Sequence, residues 1–142
     1  MNTQNYKNHS RFHPLFHFLA IPLGLIVLIS SIVNLVYFSE GNLFSSSLLV
    51  VLAFLMLVVM LLARLSALKA QDRAIKAEEN FRHYLLTGKP LDTKLEMSQI
   101  ISLRFASDDE FPNLARRAVE EKLPSKKIKK LIVNWKGDYY RV

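Results

Sequence analysis

LFHFLAIPLGLIVLISSIVNLVYFSEGNLFSSSLLVVLAFLMLVVMLLAR, residues 15–64, contains only two charged side chains, Glu40 and Arg64. Glu40 divides it into two apolar spans, 15–38 and 43–63. A bilayer core of about 30 Å needs about 20 helical residues at 1.5 Å each, and both spans are long enough. In lipid a segment must satisfy its own backbone hydrogen bonds, so a helix is the default. A chain of 142 residues has too little remaining sequence to bury two such helices on all sides in water. The first span exceeds the 7–15-residue core of a signal peptide, and no Ala-x-Ala cleavage pattern follows it. The link Ser39-Glu40-Gly41-Asn42 is made of turn formers and is too short for anything but antiparallel neighbours.

Charge sets the expected orientation. Lys7 and Arg11 precede the first span, and Arg64, Lys69, Arg73 and Lys76 follow the second, while the link has no Lys or Arg. The positive-inside rule then places both termini in the cytoplasm and residues 39–42 outside. Tyr6, Phe12, Phe16, His17 and Phe18 read as an interfacial belt, and Pro22 predicts a kink one turn into the first helix.

Within the spans the polar residues are few. Ala20 and Gly24 form a small-x-x-x-small pair that permits close helix approach. Asn34 lies five residues before Ser39, and Ser47 five after Asn42, so they share a depth. This predicts a hydrogen bond from Asn34 to Ser46 or Ser47 that pins the pair. No Asp, Glu, Lys or Arg lies inside either span to mark an ion route. His9, His13 and His17 are spaced four apart, but Pro14 interrupts them and no Cys or nearby carboxylate completes a ligand set. No metal or other cofactor is expected.

Beyond residue 63 the second helix should run unbroken to about Leu86 as a cytosolic stalk (64–87), since no Gly or Pro interrupts it before Gly88 and Pro90. Asp72 with Lys76 and Glu78 with Arg82 are spaced for i, i+4 pairs. Ala67, Ala70, Ala74, Ala77, Phe81 and Tyr84 repeat at 3-4 spacing, the pattern of a coiled-coil association seam. Leu61, Leu65, Leu68 and Ile75 form a second stripe beside it. Either the chain's own C-terminal helices or a second copy must cover these stripes, and the seam slightly favours self-association.

Residues 91–142 read as a small three-helix module. Ser98 would cap a helix through Phe105. Ser107-Asp108-Asp109-Glu110 reads as a capping box for a second helix to about Lys122. Pro124-Ser125 would start a third, with Ile128, Leu131, Ile132 and Trp135 inward and Gly137 as its stop. From Arg64 onward there are 17 Lys and Arg against 11 Asp and Glu, a net charge of +6. Lys126, Lys127, Lys129 and Lys130 crowd one region, which suits contact with anionic inner-leaflet lipid. Nucleic acid is less favoured, because no array of base-reading Arg, Asn or Gln accompanies them. The chain has no Cys, no Gly-rich phosphate loop and no Ser/His/Asp set, so catalysis finds no foothold and a non-enzymatic role is expected.

Four segments carry a resemblance: QNYKNH (4–9), ALKAQDRAI (67–75), LRFASDDEFP (103–112), and Ile128-Lys129-Lys130 through Asn134-Trp135 to Tyr140-Arg141-Val142. Together they resemble a family of small bacterial two-span membrane proteins classed as a domain of unknown function. The resemblance implies bacterial origin and a two-span membrane protein, and the expected location is the bacterial inner membrane. It transfers no functional residue.

The sequence thus predicts an all-α membrane protein: an antiparallel transmembrane hairpin, a stalk and a basic helical module. The expected role is protein-protein or self-association, as adaptor, regulator or accessory subunit. The other readings are a small oligomeric channel or transport component, and membrane-tethered binding of nucleic acid or anionic lipid.

Overall fold

The computed structural model describes residues 4–6 and 13–139. Among them the chain has five α-helices and no strand: α1 (Ile21–Tyr37), α2 (Leu43–Thr87), α3 (Met97–Leu103), α4 (Phe111–Glu120) and α5 (Ser125–Leu131). It divides into two compact units, Phe12–Ala67, and Leu68–Val142 together with Met1–Arg11.

In the first unit, α1 is entered through a π-helical turn, Leu15–Ala20. Pro22 explains the turn. It has no N–H, and its ring would press on the carbonyl four residues back, so the helix widens just before it. The Ile21 N–H accordingly reaches Phe16 O, five residues back. The irregularity expected at Pro22 therefore takes the form of a wide turn. The α1 helix ends at Phe38, whose N–H donates to Asn34 O at 3.0 Å. Gly41 takes a left-handed φ of +76°, and the Asn42 N–H closes the link on Ser39 O at 2.9 Å. Both the 15–37 segment and α2 are long and apolar enough to cross a membrane, with stretches of mean hydropathy 2.5 and 2.9. Most of their large apolar side chains point outward, in contrast to the core helices of a soluble protein.

The α2 helix is unbroken for 45 residues, about 68 Å at 1.5 Å per residue. It stops where Gly88 adopts φ +71° and its N–H donates to Tyr84 O at 2.8 Å. The chain then doubles back, and the Leu91 N–H donates to Asn80 Oδ1 at 2.9 Å.

In the second unit, α3, α4 and α5 close a core around Phe105 and Phe111, both fully buried, with Leu103, Ala118 and Ile128. Ile75 of α2 belongs to that core, so the C-terminal module covers that one residue of the second stripe, while Leu61 and Leu65 stay exposed. Gln99 is the polar keystone. Its amide nitrogen donates to Ala118 O and Leu123 O, and its amide oxygen accepts from the Glu96 N–H. The start of α3 is thereby tied to the end of α4.

Three local expectations are corrected. The cap of α3 is Glu96, not Ser98, because Glu96 and Gln99 form the reciprocal box. Ser107–Glu110 is a turn rather than a capping box: the Phe111 N–H donates to Ser107 O, and Glu110 turns away from Ser107. Its carboxylate accepts instead from the Val133 and Asn134 N–H groups at 3.1 and 2.8 Å. The third helix ends at Leu131, well before Trp135. Residues 132–139 leave the helix, bend at 133–134 and form an isolated antiparallel bridge between Trp135 and Ala106, with the Ser107 N–H donating to Asn134 O and the Lys136 N–H to Phe105 O. Those bonds and the Glu110 carboxylate give the β-branched Ile132-Val133 pair a better backbone environment than another helical turn.

Candidate functional site

Each residue singled out in the sequence can now be placed. In the first unit Asn34 Nδ2 donates to Ser46 Oγ at 3.1 Å. Ser46 is only 4% exposed, whereas Ser47 is partly exposed and returns its hydroxyl to Phe44 O at 2.8 Å. The structure thus brings Ser46, and not Ser47, to Asn34. A β-carbon at Gly24 would fall 2.5 Å from Leu57 Cδ2, so the missing side chain is what admits Leu57. Ala20 is half-buried one turn earlier on that face. Phe16 has the Arg64 guanidinium 5.5 Å from its ring centroid. His17 Nδ1 lies 3.0 Å from His13 O, a local backbone contact. His9 and Phe12 fall outside the described residues.

On α2 beyond residue 67, the two stripes have different fates. Ile75 and Glu79 are buried beneath the module, and Arg82 and His83 are half-buried. Ala70, Ala74, Ala77, Phe81 and Tyr84 of the seam stay exposed, and Ala67 is intermediate. Phe81 is 63%, Tyr84 55% and the neighbouring Leu85 68% exposed. Beside this face lies an open cleft of about 680 Å³, walled by Phe81 and Leu85 on α2 and by Gly137 and Tyr139 opposite, with Glu79 and Arg104 in its lining.

The electrostatics under the cleft are centred on Arg82, a residue the sequence assigned to a helix-surface pair with Glu78. Neither expected i, i+4 pair forms among the described residues. Arg82 instead donates to Glu79 Oε2 at 2.9 Å, to Asp108 Oδ1 at 2.7 Å and to Ala106 O at 2.7 Å, and lies over the Phe111 ring at 4.5 Å. The hydrogen bond and then the charge of Arg82 hold the Asp108 carboxyl below the ordinary aspartate value. Burial pushes the Glu79 carboxyl above the ordinary glutamate value, against the pull of Arg82. Arg104 pairs with Asp138 at 3.2 Å. These charges are spent on one another, which suits a scaffold wall. Spacing alone could not find this role of Arg82, because two of its three partners lie 24 and 26 residues away.

The basic quartet is not one uniform patch. Lys129 Nζ sits 5.9 Å from the Phe105 ring and Lys130 Nζ 5.8 Å from the Tyr6 ring, while Lys126 and Lys127 are exposed. Tyr6 therefore lies on the module, where Gln4 Oε1 also accepts from the Asp138 N–H at 2.7 Å. Among the described residues no group of three or more His, Cys, Asp or Glu could hold a metal ion.

No curated protein and no solved structure matches this chain. A family model does, from end to end: over residues 1–142 the chain belongs to the family of unknown function DUF6526.

Proposed function

We propose that this is a two-span protein of the bacterial inner membrane whose cytosolic helical unit mediates protein-protein association, as an adaptor, regulator or accessory subunit. The contact pairs 34–46, 24–57 and 16–64 support an antiparallel transmembrane hairpin, since one index falls as the other rises. Residues 4–6 lie against the C-terminal module, which fits both ends on one side of the bilayer. The basic flanks make that side the cytoplasm.

The observation that carries the role is the exposed Phe81, Tyr84 and Leu85 face beyond the apolar span. Large apolar groups gathered on an aqueous surface mark an interaction site. Beside them Glu79, Arg82, Asp108, Arg104 and Asp138 are paired with one another within the chain. The test is a photo-cross-linking benzoyl-phenylalanine placed at position 81 in native membranes. Adducts heavier than the 16.4 kDa chain by the mass of a protein are expected. Lipid adducts alone, or none, would end the association reading.

A further inference from the structure

We infer that the occupant of this face is a second copy of the chain, with the two α2 helices paired parallel and in register; the inference rests on the association reading above. The seam residues keep a strict seven-residue period. Ala67, Ala74 and Phe81 occupy one core position of the heptad, and Ala70, Ala77 and Tyr84 the other. The module covers the opposite side, at Ile75, Glu79 and Arg82, so it leaves the seam open to an approaching helix. Small residues in the first two heptads allow close approach, and the aromatic residues of the third supply most of the apolar area.

Charge chooses the occupant and its direction. Arg73 and Glu78 flank the seam on its two sides, five residues apart, and both are exposed. Among the described residues neither has an ion-pair partner in its own chain. In a parallel, in-register pair, Arg73 of one copy faces Glu78 of the partner subunit, and the reciprocal pair forms by symmetry. An antiparallel pair would oppose like charges at these flanks. Copies inserted in one membrane with one topology are already parallel. Confinement to the bilayer raises their effective concentration, so a seam of three heptads suffices where a free peptide of that length would not.

The chain has no cysteine, so single Cys probes need no background removal. In native membranes, Ala77→Cys full-length protein is oxidised with copper(II) phenanthroline and run without reductant. A disulfide-linked dimer at twice 16.4 kDa is expected, several-fold more abundant than from Lys76→Cys, which lies off the seam. Arg73→Glu in the Ala77→Cys background should cut that yield several-fold, and adding Glu78→Arg should restore it. Equal yields at positions 77 and 76, or no restoration by the charge swap, would overturn the parallel pair. If Ala77→Cys gives no dimer while position 81 cross-links to a different protein, self-pairing falls and the association reading stands. Loss of both signals removes both.

Discussion

Three contacts set the local energetics, at Asn34–Ser46, Gly24–Leu57 and Arg82. Asn34 and Ser46 hydrogen-bond to each other; in the proposed transmembrane hairpin a bond of this kind contributes about 0.6 kcal/mol. Asn34→Leu should therefore lower stability in detergent by about that much, and the Asn34→Leu/Ser46→Ala double variant should be no worse than the worse single one in thermal unfolding. Gly24→Leu should cost about 1–3 kcal/mol by overpacking against Leu57, and Leu57→Ala should recover part of it. Arg82→Ala would strand buried Glu79 and the Ala106 carbonyl, at a cost of about 3 kcal/mol. The only tryptophan, Trp135, packs on Phe105 at 5.1 Å, so its fluorescence reports the unfolding of this unit alone. The two carboxylates around Arg82 should respond to pH with opposite sign. The Asp108 value is lowered in the fold, so its stabilisation is present above 3.8 and is lost as pH falls through the lower folded value. The deficit of Asp108→Asn should be greatest near neutrality and vanish in strong acid. The Glu79 value is raised, so its ionisation weakens the fold as pH rises above 4.5. The stability of Glu79→Gln relative to the parent should improve over that rise.

At the scale of elements, long periodic segments were readable and short ones were not. Both ends of α2 follow from Asn42 and Gly88 and from the absence of any breaker between them. The end of α5 does not follow from its pattern, because Ile132 and Trp135 also suit a helix facing inward. What decides it is the Glu110 carboxylate and the 105–107 backbone, more than 20 residues away, which take the N–H groups of 133, 134 and 136. The close of α4 is similar. Lys122 holds φ +48°, and the Leu123 N–H returns to Ala118 O at 3.1 Å, a turn that glycine makes without strain. Lys122→Gly should therefore raise the unfolding midpoint of the Trp135 signal, by about 0.5–1 kcal/mol in stability.

For the whole molecule, the proposed topology makes a direct prediction. With an impermeant maleimide on intact cells, Glu40→Cys should label at once and Lys94→Cys only after permeabilisation. Labelling of both, or of Lys94→Cys alone, would reverse or remove the proposed orientation. The candidate site was half-legible. The seam residues from Ala67 to Tyr84 were readable from their period, but which stripe the chain would cover for itself was not. Two apolar stripes on one helix are equivalent until something packs on one of them, and Ile75 meets the module's core.

By itself the sequence determined what depends on composition and local period: two apolar helices, the turn between them, the length of α2 and the placing of Asn34 across the turn from Ser46 and Ser47, without choosing between the two serines. Helical periodicity and the exclusion of charge from lipid act over neighbouring residues, so they can be read in order along the chain. Only the tertiary structure decided that Arg82 gathers Glu79, Asp108 and Ala106, that Glu110 ends α5, and that the module buries Ile75 and leaves Phe81 and Tyr84 open. Those outcomes depend on which distant groups satisfy a buried donor or acceptor, and spacing along the chain carries no record of that choice.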